Sequence, residues 1–264
     1  MASDPDLLAH FMRYFEILRA DTPGLLQEVF RLRYQVYCVE GTVPGFAPSD
    51  FPDALERDAY DARSVHCLLL HRSTGIFAGT VRLVCADPAR VDTPFPLEVA
   101  SGPEIEREYQ RIASQCRRWI GECSRFILAR QFRARAGEAR WADGVAEVKG
   151  SGQERDERRA PTHPVLGLLK AGMIMSWERR VCYWYAGMEP RLDRRLRQFA
   201  FALRPISPAI DYHGPCRAHW GYLPDVLRQM RERRPEVWRL LTGDGEIWPA
   251  DTSDGSAETS CWAN

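Results

Sequence analysis

The 264-residue chain is 45% apolar and 27% charged, an ordinary globular balance and long enough to bury a core without disulfide or metal staples. Its 36 basic residues equal its 36 acidic ones, so no overall field draws it to nucleic acid or anionic lipid. The eight cysteines include no Cys-x-x-Cys pair, which argues against a zinc site and a disulfide framework, and no metal ligand set is expected.

The amino terminus lacks a basic segment followed by an apolar stretch, and no run of about 18 apolar residues occurs. Neither a signal peptide nor a transmembrane segment is therefore expected, and the reading is cytoplasmic. Phe15 to Leu18 reads as a short strand. Thr22-Pro23 then opens a helix, Thr as N-cap and Pro at the first helical position, with apolar residues at helical spacing through Tyr37. Residues 40–53, rich in Gly, Pro and Asp, read as a loop. Val65–His71 and Ile76–Cys85 form a hairpin about a short turn. Pro103–Gln115 reads as a helix and Cys123–Ala129 as a buried strand. Residues 131–161 are Arg-, Glu- and Gly-rich, with too little apolar surface to offset their ordering entropy, and are expected to form a flexible insertion. Helices at Val165–Arg179 and from Pro190 to about Phe201 flank a strand at Val181–Met188. A short strand at Arg204–Ser207 and helices at Leu223–Arg233 and Glu236–Leu241 follow. The organisation expected is one α/β (α+β) domain over residues 1–245, with a disordered tail at 246–264.

Four segments carry chemistry. On the first long helix, Arg33, Tyr37 and Glu40 share a face. Glu56, Asp58 and Asp61 stand within six residues. In an extended segment Glu56 and Asp58 would point one way and Asp61 the other. Clustered carboxylates attract an amine and help take its proton. Arg82 lies inside an apolar strand, where an arginine needs a partner. Glu122 and Arg125 open another apolar strand, and Arg82, Glu122 and Arg125 could form one buried ionic network.

Taken in order, these segments resemble the acyl-homoserine-lactone synthases. Arg33 and Tyr37 match an Arg and an aromatic on that family's first helix. Glu56, Asp58, Tyr60 and Asp61 match its acidic segment, Arg82 its hairpin Arg, and Glu122, Ser124, Arg125 and Phe126 its Glu-x-Ser-Arg-Phe strand. Those synthases carry a Trp soon after the first helix; here the text is Thr42-Val43-Pro44-Gly45. From residue 15 to about 245 the chain more closely resembles the PEP-CTERM/exosortase system-associated acyltransferases, which are related to N-acyl amino acid synthases. The segments that carry this include Leu32–Glu40, Asp50–Asp53, Pro94–Glu98, Trp184–Pro190, Asp211–Gly214 and Arg234–Trp238.

The resemblance implies a GNAT-like acyl-CoA N-acyltransferase fold, a mixed central sheet flanked by helices. It implies splayed mid-sheet strands, here Cys123–Ala129 and Val181–Met188. It implies transfer of a long acyl chain from acyl carrier protein or CoA to a small amine such as an amino acid, with no tightly bound cofactor. The roles it implies are catalytic for Glu56, Glu122 and Arg125, with Glu56 the base, and substrate-binding for Arg33, Tyr37, Asp58, Asp61 and Arg82. Phe126, Ile127, Leu128, Trp184 and Tyr185 would meet the acyl chain or pantetheine, His213 would be a reserve base, and Arg130, Arg133 and Arg135 would meet the carrier protein. The alternatives are a homoserine-lactone synthase using S-adenosylmethionine and a non-catalytic acyl-sensing module.

Overall fold

The computed structural model describes residues 7–41, 43–133 and 164–249. The expectations for Thr42, for Arg135 with most of the 131–161 segment, and for a tail beyond residue 249 lie outside these residues. The chain divides into two compact units. The first comprises Met1–Glu56, His66–Val81 and Arg125–Ala171, and the second Arg57–Val65, Arg82–Ser124 and Gly172–Asn264.

In the first unit, helix α1 (Leu7–Tyr14) leads into strand β1 (Phe15–Arg19), and α2 spans Pro23–Tyr34. Thr22 caps α2 as expected, its Oγ1 accepting from the Leu25 N–H at 3.3 Å. The helix then widens into a π-helical turn at Gln35–Val39, closed by the Glu40 N–H on the Gln35 carbonyl. β1 lies antiparallel to β2 (Ser64–His71), from Phe15 opposite His71 to Arg19 opposite Cys67. β2 and β3 (Ile76–Cys85) form the expected hairpin, and β4 (Ile120–Leu128) follows β3 in the sheet. Gly79 permits that approach: a Cβ there would stand 2.5 Å from the Ile127 carbonyl oxygen. The first half of α5 (Pro164–Glu178) belongs to this unit, and a Cβ on its Gly167 would meet Phe11 and Leu69 at under 3 Å.

The second unit holds α3 (Pro96–Ser101), α4 (Arg107–Cys116), β5 (Tyr183–Met188) and α6 (Pro190–Gln198). It continues through short β6 (Arg204–Pro205) and β7 (Ile210–Asp211), β8 (Pro215–Tyr222), α7 (Leu223–Arg233) and α8 (Pro235–Thr242). Strand order is β4-β5-β8-β6, with β7 on β8. β5 pairs antiparallel with β8 along its whole length, Tyr183↔Tyr222 to Met188↔Arg217. With β4 it pairs parallel only from Ile120↔Tyr183 to Glu122↔Tyr185, although β4 continues to Leu128 and β5 to Met188. One sheet face buries Tyr185, Ala218 and Trp220 against Phe95, Leu97, Tyr109 and Ala113. On the other, Trp184 fits over Gly172 and beside Phe201, and Gly221 makes room for Leu203.

The expected class, a mixed sheet with helices, is observed. α1 and β8 were not anticipated, nor was α3. Residues 59–63, read as extended, form a 3-10 turn.

Candidate active site

The first unit contains a buried Arg–Glu–Arg triad. Arg33, in the last turn of α2, is 0% exposed and donates through Nε to Glu56 Oε2, itself 1% exposed. Arg125 on β4 donates to the same carboxylate from Nη2 (2.9 Å) and Nε (3.2 Å). The Glu56 N–H is held by the Phe30 carbonyl at 3.1 Å, which fixes the carboxylate where the arginines meet it. Arg125 has φ = 51°, in the left-handed region inside a strand, a conformation that costs a non-glycine residue about 1 kcal/mol or more. Glu56 on one side and two rings on the other hold it there: Arg125 Cζ lies 5.5 Å from the Tyr37 ring centre and 5.4 Å from that of Phe46. The two rings stack at 4.7 Å and 19°, with Phe51 beyond.

Burial works to raise the Glu56 pKa, but the charges and hydrogen bonds of Arg33 and Arg125 outweigh it and hold the carboxyl below its ordinary value. A carboxylate so held is a poor proton acceptor. Glu56, expected as the base, is the carboxylate that both arginines hold.

A second cluster lies within the other unit. Asp58 caps the Ala59–Arg63 turn, its Oδ1 accepting from the Tyr60 N–H at 2.9 Å, while Asp61 Oδ2 accepts from the Asp58 N–H at 2.8 Å. Arg82, 0% exposed, bridges both carboxylates, Nη1 donating to Asp58 Oδ1 (2.7 Å) and to Asp61 Oδ1 (2.9 Å). Its Nε donates to Ser124 Oγ at 3.0 Å. The expectation that Asp61 points away from Asp58 fails because side chains three apart eclipse in a 3-10 turn. Asp58 keeps 27% exposure against 9% for Asp61, and so is the more accessible acid.

Other expected site residues have different employment. Glu122, expected as catalytic, is buried, and its Oε2 accepts the Leu97 N–H at 2.8 Å, anchoring the start of α3. Trp184 is buried with its Nε1–H on Ser176 Oγ at 2.8 Å. Tyr185 is buried between Phe95 and Trp220 and bonds to Glu98, and burial pushes its hydroxyl pKa up. Both, expected to meet the acyl chain or pantetheine, are buried in the packing of the sheet. Ile127 and Leu128 are buried and Phe126 half-buried at the end of β4. His213 sits at φ = 56° in the turn before β8 with its ring against Tyr212. Arg130 is exposed, but Arg133 is buried and paired with Glu40, which removes it as a docking contact.

Sequence reasoning missed Phe46. The only hint was a large aromatic following Pro44-Gly45 in a polar loop. Its ring face on Arg125 is worth roughly 0.5–2 kcal/mol. Phe46→Leu is therefore expected to lower the thermal midpoint while Phe46→Trp keeps it, because leucine supplies the area without the π face; differential scanning fluorimetry checks this.

Residues 32–142 match the family described as "Acetyltransferase (GNAT) domain", a span that includes both clusters. Solved structures with the same fold include TofI in a ternary complex with an inhibitor and MTA (18% identity, TM-score 0.54, covering 86% of this chain and 97% of that one). FeeM, an N-acyl amino acid synthase from uncultured soil microbes, is similar at 15% identity and TM-score 0.51, covering 83% and 97%. MesI, a CoA-dependent acyl-homoserine lactone synthase, is similar at 18% identity and TM-score 0.50, covering 84% and 95%. The chain has the GNAT-like acyltransferase fold.

Proposed function

We propose that the protein is an N-acyltransferase that moves a long acyl chain from a carrier-protein or CoA thioester to the amine of an amino acid or similar small molecule. The reading rests chiefly on the parallel β4–β5 pairing, which ends at Glu122↔Tyr185 while both strands run on. Beyond that point β4 has backbone groups with which a pantetheine arm can pair, and its N–H groups can receive the oxyanion formed at the thioester carbon. The acceptor's ammonium binds at Asp58 and Asp61, the carboxylate pair held by Arg82. Asp58 takes one proton from the ammonium, directly or through a water. The neutral amine attacks the thioester carbon, the C–S bond breaks, and the second amine proton leaves with the thiol.

The PEP-CTERM/exosortase association belongs to this proposal, on the segment resemblance alone, as does a cytoplasmic location. Among the described residues no helix is long and apolar enough to cross a membrane. Among the same residues no group of three metal-ligating side chains occurs.

Mass spectrometry of the protein incubated with palmitoyl-loaded acyl carrier protein, palmitoyl-CoA and a mixture of amino acids tests the reading. N-acylated product formed by the wild type, and abolished by Arg125→Ala, supports it. The absence of any such product overturns it. Release of methylthioadenosine from added S-adenosylmethionine would instead mark the lactone-synthase alternative.

A further inference from the structure

We infer that the exposed arginines of α6 and the end of α7 form a docking surface for an acidic carrier protein, which deepens and rests on the acyl-transfer reading. Arg133 is buried on Glu40 and does not present its charge. The chain as a whole is neutral, yet residues 190–242 hold eleven arginines against five acids. Eight of those arginines lie on α6, on α7 or at Arg234 just after it. Arg234, just after α7, donates from Nη1 to the Gln198 carbonyl at the end of α6, at 2.6 Å. Arg194 stands one helical turn before Gln198 and so shares its face, and Arg231 stands one turn before Arg234.

Arg194, Arg231 and Arg233 are exposed. Nearby arginines have local duties instead. Arg197 is bidentate on Asp193 through Nε (2.8 and 3.0 Å), Arg228 pairs with Asp225 at 2.7 Å, and Arg234 pairs with Glu236. The held arginines fix the helices, while Arg194, Arg231 and Arg233 face outward with a charge surplus. Arg231 is steadied by lying 5.1 Å over the Trp238 ring, which lowers the entropy it loses on meeting a partner.

The position of the surface selects the partner. α6 begins at Pro190, two residues after β5 ends at Met188, so it starts at the β5 end that lies beyond the last pairing with β4. A donor whose thioester arm enters along that end of β5 brings its protein body against α6. A carrier rich in Asp and Glu on its docking helix is the chemistry that Arg194, Arg231 and Arg233, exposed on a neutral chain, accommodate. Free CoA needs no surface of this breadth.

The test uses the full-length protein carrying Arg194→Glu with Arg231→Glu, neither of which is placed in the catalytic machinery. Binding of fluorescently labelled palmitoyl-loaded acyl carrier protein is followed by anisotropy at several salt concentrations, and initial rates are measured with carrier-linked and CoA-linked palmitate. The expected result is a carrier Kd and KM raised roughly tenfold or more, a flattened salt dependence, and an unchanged KM for palmitoyl-CoA. Equal change with both donors, no change with either, or no carrier binding by the wild type overturns the inference. Arginine-dependent carrier binding without product from any acceptor would leave this surface standing and defeat the acyl-transfer reading instead.

Discussion

Glu56→Gln is expected to melt well below the wild type, not merely to lose turnover. Removing one partner of a buried ion pair costs about 3–5 kcal/mol, because the charges left behind stay buried without their counterion. Here two arginines are left, Arg33 fully buried and Arg125 nearly so. At roughly 2–4 °C per kcal/mol for a chain of this size, the thermal midpoint should fall by roughly 6–20 °C. Glutamine keeps the shape and one acceptor oxygen, so the loss reports charge. The pH dependence follows in sign. Glu56 has its pKa lowered on folding, so its contribution is complete above the ordinary carboxylate value of about 4.3 and disappears as pH falls through the folded value. The wild-type advantage over Glu56→Gln should thus be full near neutrality and shrink in acid. Thermal melts of both proteins between about pH 3 and pH 8 measure it, bracketing the carboxylate range. A variant that melts with the wild type yet has lost its rate would return Glu56 to the role of base.

The sequence was readable where one local rule decided the outcome. Thr22-Pro23 specified the start of α2, and the apolar runs about residues 72–75 specified the hairpin. The acids and arginines that matter were all visible, because a charge inside an apolar run demands a partner. What could not be read was which partner. Asp61 joins Asp58 on Arg82 only because residues 59–63 coil into a 3-10 turn, which nothing in the Ala-Tyr-Asp-Ala-Arg text demands. Glu122 also accepts the Leu97 N–H, a contact that depends on where α3 arrives from the loop before it. β8 was missed because Pro215, Arg217, His219 and Gly221 interrupt the run that a strand reading looks for. Pairing with β5 along its whole length overrides that weak propensity. The left-handed Arg125 is likewise a tertiary product, held by Glu56, Tyr37 and Phe46, residues that come from two other parts of the chain.

Asp58→Asn should separate chemistry from architecture. The asparagine side-chain oxygen can still accept from the Tyr60 N–H and from Arg82 Nη1, as Asp58 Oδ1 does. Asp61 remains to balance the charge of Arg82. The turn should therefore stay capped, whereas Asp58→Ala would forfeit the cap as well, at about 1 kcal/mol. Asparagine cannot take a proton from an ammonium. If Asp58 receives that proton, kcat/KM for the amine should fall about 100-fold or more with the melting temperature little changed. The defect should also narrow as pH rises through the acceptor amine's own pKa, because an amine already neutral needs no base. Initial rates of N-acyl product formation against pH, for wild type and Asp58→Asn, decide this. A constant ratio of the two rates across that range would mean Asp58 binds the acceptor without moving its proton. A rate within about twofold of wild type at every pH, far short of a general base's contribution, would remove Asp58 from the reaction altogether.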